Sequence, residues 1–186
     1  LRKEVGAFEA CPLKKMAKNP VFGDGTPASN IMLIGEAPGA EEDNRGIPFC
    51  GPSGQLLDNM LAFIGLSRAE QFYITNALFW RPPGNRTPTT EELEICKPLV
   101  EKHIALINPD VLILVGGTAA NSLLGGSQNM SRLRTEKFKY ENQYTNKAIH
   151  TRVVFHPSYL LRQPLQKKLA WFDLLAIQDD IASQAK

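Results

Sequence analysis

Four short apolar runs alternate along this chain with longer stretches of helical period. The first run, Asn30-Ile31-Met32-Leu33-Ile34, predicts a buried strand. Gln71 to Ala77 predicts a second, Val111 to Val115 a third, and Arg152 to Phe155 a fourth. The third is an unbroken set of valine, leucine and isoleucine, as expected of a parallel strand covered on both faces. Between the runs lie an amphipathic segment around Val5 to Met16, a helix over 54–64 that ends at Gly65, and a helix from Glu91 to about Asn108. Thr89 or Thr90 is a suitable N-cap for that last helix, and Pro109 stops it. A short helix is expected over 119–124 and a long one over about 164–184, carrying Leu165, Leu169, Trp171, Phe172, Leu175 and Ile177. Residues 126–148 are polar and irregular, with room for a short helix and an edge strand. No internal repeat or low-complexity linker interrupts the alternation. It predicts a single domain over 1–186, a three-layer α/β/α sandwich with a mainly parallel sheet of about four strands.

Three of these strands exit into loops of unusual chemistry. Gly35 to Gly54 mixes glycines with three prolines and four acidic residues. Asn76 to Pro88 is broken by prolines, and His156 to Arg162 follows the last strand. In an open parallel sheet such ends lie along one edge, where ligands bind.

Composition changes this picture little. At 186 residues, 43% apolar and 22% charged, the chain is ordinary for a globular protein. Net charge +2 is too small to argue for nucleic-acid binding by itself. No apolar run approaches a membrane span, and Leu1-Arg2-Lys3-Glu4 opens no signal-peptide pattern. Leu1 in place of an initiating Met leads to the expectation that the natural chain begins earlier. Cys11, Cys50 and Cys96 are odd in number and far apart, which argues for a reducing compartment rather than a disulfide framework.

Each candidate residue has a plain alternative. Asn76 ends a strand, where asparagine often only caps a turn; its amide also offers a donor and an acceptor to a planar ligand. Phe49 fits either a core or a ring that stacks on a base. His156, between Phe155 and a proline, fits a structural imidazole or a catalytic one. Glu36, Glu41, Glu42 and Asp43 form either a solvated acidic loop or a set that positions water. Gly116-Gly117-Thr118 reads best as a tight strand-to-helix turn.

The loops together carry a resemblance. Gly35-Glu36-Ala37-Pro38-Gly39-Ala40-Glu41-Glu42-Asp43, Pro48-Phe49-Cys50-Gly51, Ile74-Thr75-Asn76, Arg81 to Arg86, and His156-Pro157-Ser158-Tyr159-Leu160-Leu161-Arg162 resemble the uracil-DNA glycosylase superfamily, most of all its family 4. The likeness runs from about Cys11 to Leu175. It implies a DNA-repair hydrolase that flips uracil out of DNA and breaks its N-glycosidic bond. Weaker alternatives are a member that only binds DNA, or a glycosylase for hypoxanthine or xanthine.

The resemblance implies catalytic roles for His156, Glu36 and Glu42. It places Gly39, Phe49, Asn76, Ala37 and Asp43 around uracil. Ser158, Arg162, Arg86 and Ser53 would meet DNA, with Arg81, Lys167 and Lys168 nearby. Phe49 would stack on the base, Asn76 would bond to its O4 and N3–H edge, and His156 would face O2. The Gly39 region would offer main-chain N–H groups, and Glu42 would stand near the base's 5 position. Family 1 relatives hold a water-activating aspartate at the position of Ala37; here either Glu36 or Glu42 would help, or the reaction would rely on stabilising the leaving group. Ile47 replaces a usual arginine, with Arg45 nearby. The Arg81–Pro88 loop lacks the histidine-bearing insertion of the covalent uracil-trapping relatives, so no covalent capture is expected.

One departure is large. Family 4 resemblance implies a [4Fe–4S] cluster on four cysteines. Cys11 and Cys96 match two of them, while Phe8 and Trp80 replace the others. The expectation is therefore no metal and no cofactor. The expected partner is uracil-containing DNA, single- or double-stranded, with no membrane; the protein is expected to be a monomer in a bacterial cytoplasm, with the nucleoid.

Overall fold

The computed structural model describes residues 1–184. In chain order its elements are α1 (Arg2–Ala7), a 3-10 turn (Pro12–Lys15), β1 (Asp24–Gly25), β2 (Ile31–Gly35), α2 (Ala40–Arg45), α3 (Pro52–Ala62) and β3 (Tyr73–Asn76). There follow α4 (Thr90–Ile107), β4 (Val111–Val115), α5 (Gly117–Leu124), α6 (Met130–Leu133), β5 (Phe138–Tyr140), β6 (Ile149–Val154), α7 (Pro157–Arg162) and α8 (Lys167–Gln184).

The sheet has six strands in the order β1-β3-β2-β4-β6-β5. The four central strands are parallel and are those that the apolar runs predict. β1 and β5 pair antiparallel at the two edges, with two and three residues. Strands that short bury too little to leave an apolar run. Alternation along β2 and β4 explains why the runs are continuous. Met32, Ile34, Leu112 and Leu114 face a core shared with α4 and α5. Ile31, Leu33, Val111, Ile113 and Val115 face a second core shared with α3 and α8. Both faces of the sheet are covered, which makes the three layers.

The local signals act as expected at α4. Thr89 caps it and Glu92 closes a reciprocal capping box, while Asn108 ends it in a left-handed conformation (φ 51°). Three stretches differ from expectation. Residues 40–45, read as loop, form α2, because Gly39 and Glu42 supply a helix start inside the glycine-rich stretch. Residues 157–162, also read as loop, form α7. Pro157 sits at its first position, where the missing N–H costs nothing, and the His156 side chain caps it. The amphipathic stretch near the N-terminus is shorter than its pattern, broken at Phe8 into α1 and the 3-10 turn.

α8 is held to the sheet by charge as well as by packing. Asp180 pairs with Arg152 and Lys137, and Asp173 with Arg134. Burial opposes ionisation of Asp180, but hydrogen bonds from Arg152, His150 and Lys137 outweigh it and hold its carboxyl well below the usual range. Among the described residues no helix is long and apolar enough to cross a membrane.

Candidate active site

The carboxyl ends of β2, β3 and β6 open on a cleft of about 430 Å³. Its lining includes Glu36, Ala37, Gly39, Glu42, Phe49, Ser53, Asn76, Arg86, His156, Ser158 and Arg162. The three loops thus converge, and eleven of the twelve residues singled out from the sequence meet there.

Asn76 is placed by strand register. It stands opposite Gly35 across the parallel β2–β3 pair. Its side chain is buried, and its Oδ1 finds no hydrogen-bond partner within the protein. A buried amide oxygen left open in this way costs stability unless something binds it. Gly35 has no room for a side chain. A Cβ there would stand 2.5 Å from Asn76 Oδ1 and press on the end of the Phe49 ring. The glycine therefore lets the amide and the ring approach each other.

Phe49 adopts a left-handed backbone conformation, φ 50°, uncommon for a residue with a large side chain. Its ring is buried against the second core and lies 5.8 Å from the His156 ring, centroid to centroid, at 33°. The flat face of a planar ligand could stack there.

His156 is held by the start of α7. Ser158 N–H donates to His156 Nδ1 over 3.2 Å, and the Ser158 hydroxyl lies 2.8 Å from the same nitrogen. An Nδ1 that accepts a main-chain N–H carries no proton, so the neutral ring is protonated at Nε2. Burial first, then the nearby Arg162 guanidinium, push the imidazole down to about 4, against a small opposing pull from Glu42. At neutral pH His156 is therefore an uncharged donor.

The four acidic residues of the first loop divide. Glu42 is committed to the main chain. Its Oε2 accepts from Gly39 N–H at 3.1 Å, and its Oε1 from Cys50 and Gly51 N–H at 3.0 and 2.9 Å. This uses the Gly39 N–H, which the sequence reading assigned to a base. Asp43 turns away from the cleft altogether; its Oδ1 accepts from Lys18 and Asn19 N–H, so it fastens the N-terminal segment and cannot touch a ligand in the cleft. Glu36 lines the cleft.

On the rim, Arg86 forks onto Glu92 at 2.9 and 2.6 Å, so its charge is spent largely on the start of α4. Arg162 lines the cleft without an ion pair among the described residues. Arg81, Lys167 and Lys168 do not reach the lining. Pro38, Pro82, Asn85, Thr87 and Tyr159 complete it, with no role assigned to them from the sequence. Asn85 left one trace, its place after Gly84 in a proline-bounded turn.

Cys11 and Cys96 are buried in the first core. The hydrogen bond with Cys11 and burial push the Cys96 thiol up. Phe8 and Trp80 stack there at 6.2 Å and 11°. Among the described residues no group of three or more His, Cys, Asp or Glu side chains is assembled as a metal site. The two thiols and two rings do not fit a cubane cluster, which needs four thiolates.

A sequence profile of the Uracil DNA glycosylase superfamily matches residues 22–177. The chain is 38% identical over 171 residues to a type-4 uracil-DNA glycosylase of Pyrobaculum aerophilum, covering 88% of this chain and 87% of that one. It is 41% identical over 154 residues to the type-4 enzyme of Thermotoga maritima, covering 82% and 77%. A type-5 uracil-DNA glycosylase of Thermus thermophilus is 39% identical over 120 residues, covering 56% and 54%.

Proposed function

The chain belongs to the uracil-DNA glycosylase superfamily, and on that premise we propose that it flips uracil out of DNA, hydrolyses the N-glycosidic bond, and releases free uracil beside an abasic site. The observation that carries this reading is the open, buried Asn76 Oδ1, in a cleft that the Phe49 ring and a neutral imidazole also line. An extruded uracil supplies the missing partner. Its N3–H would donate to Asn76 Oδ1, and Asn76 Nδ2 would donate to its O4. Thymine shares that edge and differs only at C5, where Glu42 and the loop it braces stand.

The physical sequence is short. Extrusion costs roughly a few kcal/mol of unstacking, which stacking on Phe49 partly offsets. As the C1′–N1 bond breaks, its electron pair moves onto the base and negative charge grows on O2. His156 Nε2–H donates to that oxygen. A neutral donor fixed in advance is well suited to a developing anion, because it need not reorganise. Water then attacks C1′, giving its hydroxyl to the sugar and its proton to solvent or a carboxylate. Glu36 orients that water. Glu42 does not, since both its oxygens already accept main-chain N–H groups.

Ser53, Ser158 and Arg162 would meet the phosphates beside the extruded nucleotide, with Arg86 a weaker rim contact. The protein acts without the iron–sulfur cluster of family 4, its place filled by Phe8 and Trp80. We read it as a monomer working beside the nucleoid. Cleavage of a uracil-bearing oligonucleotide by wild type and by His156→Ala, with iron measured on the same samples, tests the reading. Strong cleavage by the wild type and a loss of roughly 10²- to 10³-fold in the variant are expected. DNA binding with no cleavage by the wild type would replace it with a binding role.

A further inference from the structure

Arg68 lies in the turn between α3 and β3, outside the cleft, and no catalytic or binding reading so far includes it. Its guanidinium is nearly buried, with 15% of the side chain exposed. Nη1 donates to Pro48 O at 2.7 Å, and Nη2 donates to Phe49 O at 2.9 Å. Asp58 Oδ1 accepts from Nε and Nη2 at 3.2 and 2.9 Å, and Asp24 Oδ2 lies 3.3 Å from Nη1. The two carboxylates fix the fork, and the fork fixes two consecutive carbonyls.

The next two residues are held from the opposite side. Cys50 and Gly51 give their N–H groups to Glu42. A cation thus grips the carbonyls of 48 and 49, and an anion grips the amides of 50 and 51. Phe49 sits between them in its left-handed conformation. Such a backbone persists only where its surroundings over-determine it. Gly54 packs directly beneath the Phe49 carbonyl, too close for any Cβ, so the peptide cannot relax in that direction either.

We propose that Arg68 is a positioning residue that sets the angle of the Phe49 ring, and so the plane in which the extruded base is stacked. This rests on the glycosylase reading above. A lysine cannot replace it, because a point charge lacks the planar fork that meets both carbonyls and Asp58 together.

The test is a double-mutant cycle on single-turnover cleavage of a uracil oligonucleotide, using wild type, Arg68→Gln, Phe49→Ala and the double variant. Arg68→Gln is expected to lower the rate roughly 10- to 100-fold, the scale of loss from a small misplacement. On the Phe49→Ala background the same change is expected to cost less than about twofold, since no ring remains to be placed. Equal losses on the two backgrounds would overturn the positioning role and leave Arg68 a general support of the fold. Should Arg68→Gln fail to fold, Arg68→Lys keeps the charge, loses the fork, and carries the same cycle. No cleavage by the wild type would overturn the glycosylase reading, and this inference with it.

Discussion

Gly35 and Asn76 face each other at the ends of two parallel strands, so close that a methyl group on the first would meet the amide oxygen of the second. That same methyl would press on the Phe49 ring. One missing side chain therefore allows the amide and the ring to share a cleft.

Gly35→Ala is expected to abolish most cleavage while leaving the protein folded. The added carbon displaces the ring and the amide together, costing about 1–3 kcal/mol of stability through overpacking. Thermal melting beside a cleavage assay checks this; full activity would show that the ring and amide do not need their present spacing.

Asn76→Ala separates activity from stability. Cleavage should fall by roughly 10²-fold or more, because the uracil edge then loses both its hydrogen-bond partners. Stability should hold or rise, since the variant removes a buried oxygen that has no partner in the protein. A marked drop in melting temperature with cleavage intact would make Asn76 a structural residue only.

Glu42 and Glu36 are expected to fail differently. Glu42→Ala leaves three main-chain N–H groups without their acceptor and should cost about 1–3 kcal/mol as well as activity. Glu36→Gln should reduce the rate with the melting temperature unchanged. If Glu42→Gln loses activity as completely as Glu36→Gln without loss of stability, the water-orienting task belongs to Glu42.

The pH dependence follows from His156. Its folded value, about 4, lies below its ordinary 6.5, so the unfolded chain takes up this proton first. The contribution to stability is whole above about 6.5 and is lost as pH falls from there toward about 4. In activity, the neutral ring persists in the folded state across that window. The rate should therefore stay flat through pH 6.5, with the His156 acid limb near 4. An acid limb centred near 6.5 that disappears in His156→Ala would contradict this.

Much of the candidate site was legible because two of its residues lie at the ends of apolar runs and a third lies in a marked turn. Asn76 closes one strand, His156 follows another, and Phe49 sits in a proline-bounded turn. The four parallel strands were legible for the same reason: cover on both faces leaves no polar interruption. What escaped the sequence was direction. Glu42 and Asp43 are adjacent carboxylates in one stretch, yet one braces the cleft wall and the other fastens the N-terminal segment, because a helical turn sends neighbours to different sides. Arg68 escaped because a lone cation in a polar turn has no period, and its partners lie 10, 19, 20 and 44 residues away. The start of α7 is not legible as a helix, since proline suits a turn and a first helical position equally well.

Phe8 and Trp80 stack on each other in the core that also buries Cys11 and Cys96. On the proposal that two rings stand where two cluster cysteines would be, the protein would ask nothing of the cell's sulfur-donor and scaffold machinery. It would retain its potency in iron-starved cultures, and a burst of superoxide would find no cubane there to strip.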